Sequence, residues 1–142
     1  MFLGRYSHNV DTKGRLAIPA RFREALGTEV VITRGIDRCL SLYPMDTWVP
    51  LAEKVSSLSI SDPDARTFRR MVFAEAAYLD VDRQGRILLP ADLRQYAEID
   101  KDATVVGVHS YIEIWSPDRW GTQSQVMDEE ASSIAQRLAE FI

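Results

Sequence analysis

The chain writes one pentapeptide pattern twice. Asp11-Thr-Lys-Gly-Arg15 recurs 71 positions later as Asp82-Arg-Gln-Gly-Arg86, and both fit Asp-x-x-Gly-Arg. The segments immediately C-terminal to the two copies also match. Leu16-Ala-Ile-Pro-Ala20 lies over Ile87-Leu-Leu-Pro-Ala91, and Phe22-Arg23 over Leu93-Arg94. One such pentapeptide arises by chance in roughly 3–4 % of chains of this length, so two in register, each running into apolar-Pro-Ala, are not chance. The register resumes downstream at an offset of 72. There Leu40-Ser-Leu-Tyr43, Asp46 and Trp48 match Ile112-Glu-Ile-Trp115, Asp118 and Trp120. An internal duplication constrains the fold more than any other feature, because both copies must adopt related structures.

Size then sets how the copies relate. The 142 residues suit one compact domain or two small halves sharing a core. A half of about 60 residues buries too little surface to be comfortable alone, so the halves are expected to pack on each other. The single cysteine, Cys39, allows no internal disulfide and no cysteine cluster for zinc, and reads as a small buried hydrophobe. A signal-type apolar region is missing at the N-terminus, and no run of 18 apolar residues exists. A cytoplasmic chain with no membrane partner is the expectation.

A net charge of −4 looks unsuited to a nucleic-acid partner until it is divided along the chain. Arg5, Lys13, Arg15, Arg21 and Arg23 stand against Asp11 alone in residues 1–23. Asp128, Glu129, Glu130 and Glu140 stand against Arg137 in residues 128–142. Such asymmetry suggests an interaction face near the first motif and a solvating end.

Each copy reads as strand–turn–strand–short helix–strand–turn–strand. Tyr6 to Val10 runs into the turn Asp11 to Gly14, where glycine supplies positive φ, and Arg15 to Ile18 returns as the second arm of a hairpin. Pro19 opens a short helix to Leu26, and Gly27 ends it. Glu29–Thr33 and Cys39–Tyr43 are strands. Asp46 is expected to cap a helix from Thr47 to about Leu58, with Pro50 tolerable only in its first turn. Asp62-Pro63 opens a second helix with Ala65, Phe68, Met71 and Val72 on one face. The second copy repeats the pattern: strands 78–81 and 86–89, helix 90–97, strands 104–108 and 111–115. Ser116-Pro117 starts a final helix whose apolar stripe is Ile134, Leu138, Phe141 and Ile142. Trp48 and Trp120 read as core aromatics. The expected division is a first unit 5–47, a helical connector 48–75, a second unit 76–119 and a helical tail 120–142.

A Gly-Arg pair ending a tight turn presents a cation on a stiff support. Arginine can hold a guanine edge by two hydrogen bonds or sit on phosphate, and a two-stranded ribbon fits the major groove. Asp11 and Asp82 would repel phosphate directly, so they are assigned to positioning the turn, together with Gly14 and Gly85. Catalysis finds little support. His8 and His109 do not align in the repeats, and the patterns of a nucleophile elbow, a zinc site or a phosphate loop are missing. No catalytic residue, metal, cofactor or small-molecule substrate is expected.

Met1-Phe-x-Gly4, the run from His8-Asn-Val-Asp through Arg15 to Arg23, and the second Asp82-x-x-Gly-Arg86 unit together resemble the MraZ family of bacterial transcriptional regulators. The resemblance covers essentially the whole chain. It implies an α+β fold in which two ββαββ units of the SpoVT-AbrB type form a pseudo-twofold, swapped-hairpin β-barrel with connecting and C-terminal helices. It also implies a homo-oligomeric ring, often an octamer, associated with the nucleoid. Such a ring binds short direct repeats in double-stranded promoter DNA ahead of the division and cell-wall gene cluster, commonly as a repressor. The family signature falls on Asp11/Arg15 and Asp82/Arg86, so Arg15, Lys13, Arg86 and Arg83 are the expected DNA contacts. The basic residue shifts by one position between Thr12-Lys13 and Arg83-Gln84, so the two tips need not read DNA alike. A non-enzymatic ring scaffold or an antitoxin-like interaction module on the same barrel is the alternative.

Overall fold

The computed structural model describes residues 1–142. In chain order the elements are β1 (Arg5–Asn9), β2 (Arg15–Ala17), α1 (Ala20–Leu26), β3 (Glu29–Arg34), β4 (Leu40–Pro44), α2 (Met45–Ser56) and α3 (Pro63–Ala74). The second half continues with β5 (Ala77–Asp80), β6 (Arg86–Leu88), α4 (Ala91–Ala97), β7 (Asp102–Val108), β8 (Tyr111–Trp115) and α5 (Pro117–Leu138), ending in a 3-10 turn at Ala139–Phe141. The fold is mixed α and β with antiparallel strand pairing.

The two copies interleave. Six strands form one sheet in the order β1-β7-β8-β4-β3-β5, while β2 and β6 form a separate two-stranded ribbon. The first copy's β1 therefore pairs with the second copy's β7, and the second copy's β5 with the first copy's β3. At the centre β4 pairs with β8, Ser41 opposite Glu113. The strands do not close into one hydrogen-bonded barrel. The expected β1–β2 hairpin is also corrected: the two strands share only an isolated bridge, Val10 to Leu16. The reason is burial. Leu16 and Ile87 are fully buried opposite each other in the ribbon, and a local hairpin would leave each without the other's side chain.

One core of 19 residues draws on both copies. Phe22 and Leu26 of α1 and Leu93 and Ala97 of α4 enter it from the short helices. The Phe22 ring takes Phe2 and Tyr6 edge-on, with centroids 5.4 and 5.3 Å away. Gly27 ends α1 at φ 77°, and Glu98, at the equivalent place after α4, also takes a positive φ, 59°. Arg119 Nε bonds the Glu98 carboxylate at 2.6 Å.

The connector is helical, with two adjustments. α2 starts at Met45 from an extended Pro44, so Asp46 lies in the first turn and caps nothing. Its negative charge there still suits the helix dipole. Pro50 consequently falls inside the helix, where it forfeits the bond an amide would give to the carbonyl four residues back. Asp62 caps α3 as expected, accepting from Asp64 N at 2.9 Å, and Ser116 caps α5 through Arg119 N at 3.1 Å.

The tail is a solvated helix whose apolar stripe stays in the open. α5 packs on β7, yet none of its residues is buried, and Leu138, Phe141 and Ile142 are exposed. A 22-residue helix is about 33 Å long, while the seven residues of β7 span about 23 Å, so the helix overhangs its support. Trp48 and Trp120 are half-buried where helices meet strands: Trp48 lies against Tyr43 and Phe73, and Trp120 packs on the buried Trp115 of a second, smaller core cluster.

Candidate nucleic-acid interface

Each motif builds its own turn. Gly14 N donates to Asp11 O at 2.9 Å, and Gly85 N to Asp82 O at the same distance. Both glycines have positive φ, 84° and 76°. The aspartate side chain then closes the turn. Asp11 Oδ1 accepts from the Lys13 and Arg15 amides at 3.0 and 2.8 Å, and its Oδ2 accepts from Arg15 Nε at 2.8 Å. Asp82 does the same with Gln84 N, Arg86 N and Arg86 Nε, at 2.9, 2.9 and 3.0 Å. The Arg15 amide is the main reason the Asp11 carboxyl is held below its ordinary 3.8, with the Arg15 side-chain bond adding to it against some desolvation. The Arg86 amide does the same for Asp82.

The ribbon brings the two motifs to one face. Arg15 lies opposite Leu88, and Ala17 opposite Arg86. Side chains alternate along a strand, so Leu16 and Ile87 point into the core while Arg15, Ala17, Arg86 and Leu88 share the outer face. Arg15 and Arg86 are diagonal neighbours there, roughly 7–8 Å apart by ladder geometry. The turns flank them, with Lys13 and Arg83 exposed at opposite ends of the ribbon. Asp11 and Asp82 engage each arginine through Nε, which leaves the terminal amino groups of Arg15 outside every ion pair, while one terminal amino group of Arg86 lies 3.9 Å from Asp11 Oδ2. Arg15 and Arg86 retain 32 and 27 % side-chain exposure. A fork of donors on a narrow ribbon matches a base edge or a phosphate.

The same duplication appears in the chain's similarity to known proteins. A family profile described as "MraZ protein, putative antitoxin-like" matches residues 1–71 and again 72–142. The chain belongs to the MraZ family. It is 69 % identical to the transcriptional regulator MraZ of Thermomicrobium roseum over the full length of both chains. It is 54 % identical to that of Roseiflexus castenholzii over 99 % of each chain, and 50 % to that of Desulfitobacterium hafniense over 97 % of this chain and 96 % of the other.

In this MraZ family chain two further arginines join the site, and they cross between the copies. Arg23 of α1 bonds Ile18 O at 3.0 Å and lies over Gly85, where an added Cβ would stand 2.4 Å from its Nε. Arg94 of α4 bonds Leu89 O at 3.2 Å and lies over Gly14, 3.1 Å from a Cβ there. The backbone crosses too: Ile18 N donates to Gly85 O, and Leu89 N to Gly14 O. Each glycine therefore serves its turn and also admits the other copy's arginine. On sequence grounds Arg23 is only a minor candidate on an outer helix face, and Arg94 only its repeat partner. Their shared place in the register is the signal that links them.

Proposed function

We propose that this chain is a sequence-specific, DNA-binding transcriptional regulator that lays the outer face of the β2–β6 ribbon against promoter DNA. The observation that carries the reading is that Arg15 and Arg86, from distant parts of the sequence, share that face with Lys13 and Arg83 at its ends. Full-length similarity to proteins named transcriptional regulators supports it. A two-stranded ribbon fits a major groove about 12 Å wide. Arg15 is the principal base contact in this reading, Lys13 its phosphate neighbour, and Arg86 and Arg83 the weaker second pair. Asp11, Gly14, Asp82 and Gly85 position them.

The proposal includes the architecture around the ribbon. Two SpoVT-AbrB type units, 5–47 and 76–119, exchange strands in a barrel-like body, with 48–75 as connector and 120–142 as tail. The alternation of strands between the copies supports this reading. It also includes a ring-like homo-oligomer, such as an octamer, acting at the nucleoid. Exposed Leu138, Phe141 and Phe73 supply apolar surface for assembly. A ring repeats the ribbon face and so suits direct repeats about one helical turn, roughly 34–36 Å, apart. Tethered ribbons act at high effective concentration, which lets an acidic chain hold a polyanion. The expected target is the promoter of the division and cell-wall gene cluster, and the expected action is repression.

The test is a footprint on DNA upstream of the chain's own gene, paired with measured particle mass and a salt-series titration against a scrambled duplex. Protected direct repeats and a multimeric mass support the reading. A folded, assembled protein that binds both duplexes alike overturns sequence-specific reading. One that binds neither leaves the protein-interaction module.

A further inference from the structure

The connector helices cover the outer face of β3, β4 and β8 incompletely. Between them lies a cavity of about 350 Å³. One wall is apolar, made by Leu51, Val55, Phe68 and Met71 of α2 and α3. The facing wall carries Tyr43 and Tyr111, stacked with centroids 5.3 Å apart, beside the carboxylates of Glu113 and Asp37. An apolar enclosure of this size with a few convergent polar groups has the character of a small-ligand site.

The acids of this cavity outnumber its one cation, Arg34. Glu113 Oε1 accepts from the Trp115 indole at 3.2 Å, its Oε2 lies 3.8 Å from the Cys39 thiol, whose one proton has a closer acceptor in Ile36 O at 3.1 Å, and both donors are neutral. None of the protein's ion pairs includes Glu113 or Asp37. Arg34, the one cation in the wall, makes no ion pair with either acid, and its Cζ lies 4.2 Å from the Tyr96 ring centroid. Its Nε is buried without a partner. Burial pushes the Glu113 carboxyl above its ordinary range, and the Asp37 charge acts the same way against the two donors. The fold does not demand this carboxylate. Ser41 occupies the equivalent place in the first copy and lies directly across the ladder. A half-buried acid that its own repeat does without calls for a purpose beyond packing.

We propose that this cavity binds a small organic ammonium ion, its nitrogen held by Glu113 and Asp37 against the paired tyrosines and its hydrocarbon body against the connector helices. Carboxylates give the ammonium charge-assisted hydrogen bonds, and tyrosine faces attract it through their quadrupoles. Alkyl or aryl carbon takes the apolar wall. The site is separate from the ribbon, so the inference stands whether or not the ribbon binds DNA.

The experiment is calorimetric titration of the full-length protein with 2-phenylethylammonium chloride at neutral pH. 3-Phenylpropionate and 2-phenylethanol serve as controls of matching size and different charge. The cation is expected to bind saturably with a dissociation constant near or below about 1 mM, and the anion not at all. Glu113→Gln should weaken the cation at least about tenfold, with unchanged particle mass and circular dichroism. Asp37→Asn provides the second variant, because asparagine tolerates the left-handed φ of 70° found there, and should weaken it by a smaller factor. If Glu113→Gln does not fold, loss of affinity in Asp37→Asn decides. No saturable binding of the cation, equal binding of the anion, or wild-type affinity in the folded variants overturns the proposal.

Discussion

The two Asp-x-x-Gly-Arg turns are nearly identical in hydrogen bonding and unlike in charge. Each aspartate closes its turn with two amides and its own arginine. Arg86, however, lies between two carboxylates, Asp82 at 3.0 Å and Asp11 at 3.9 Å, whereas Arg15 is paired with Asp11 alone. Arg15 is thus the less compensated cation and the better partner for an incoming anion. The exposed cation beside it is Lys13 at the first tip and Arg83, one position earlier, at the second. Duplication preserved the device that shapes the turn. Divergence acted on the residues that need only be exposed.

The largest expected difference between the tips is in DNA affinity. Loss of a bidentate arginine contact costs about 1–3 kcal/mol per tip, compounded when several tethered tips engage together. Arg15→Ala should therefore abolish specific binding at concentrations where wild type saturates, with Arg86→Ala weaker by a smaller factor. Fluorescence anisotropy on promoter and scrambled duplexes reads both, with particle mass as the control for assembly. Equal losses would remove the asymmetry between the two arginines.

Next comes backbone space. An L-residue in the left-handed region costs roughly 1–2 kcal/mol, which applies to Gly14→Ala and Gly85→Ala alike. Gly85→Ala should cost more, because its Cβ would also displace Arg23 from the Ile18 carbonyl. Urea denaturation measures the pair. A Gly14→Ala protein as unstable as Gly85→Ala would refute the account of the crossing arginines.

Smaller still is the effect at the exposed cations. Lys13→Ala should lower the slope of log affinity against log salt by about one per engaged site, equally on specific and scrambled DNA. Arg83→Ala should lower it less. A change in sequence preference with either would assign that residue to base reading.

The smallest is the acid limb of stability. Asp11 and Asp82 have lowered carboxyl pKa values, so each contributes stability present above about pH 4 and lost as pH falls through its folded value. Asp82 is solvent-exposed and Asp11 partly so, and screening keeps the contribution modest. Asp11→Asn should flatten the acid limb more than Asp82→Asn, since Asp11 also neighbours Arg86. Acid titration monitored by circular dichroism tests the order.

Much of the fold and of the candidate site is legible in local sequence, because local rules govern it. Positive φ at Gly14 and Gly85, the Asp62 and Ser116 caps and the short helices after Pro19 and Pro90 depend on a few neighbouring residues. Local reading fails where a distant partner decides. β2 looks like the return arm of a hairpin because a turn precedes it, yet its ladder partner is β6. Asp46 looks like a cap, but the extended Pro44 leads straight into a helix that begins at Met45. The Ile134–Ile142 stripe has helical spacing, but periodicity cannot reveal that the supporting strand is shorter than the helix.

By itself, then, the sequence determined that the fold is built twice, that each copy carries a glycine-hinged turn closed by Asp and Arg, and that basic charge gathers at the first. Spacing and residue type carry those facts, since hydrogen bonds across four residues need nothing further along the chain. Only the tertiary structure decided that the copies exchange strands and that Arg15 and Arg86 share one ribbon face. It alone placed Arg23 and Arg94 over the opposite copy's glycines, and enclosed Glu113 under α2 and α3. These are pairings between residues tens of positions apart. They are selected by which apolar side chains can be buried together, a property of the packed core that no short window of sequence contains.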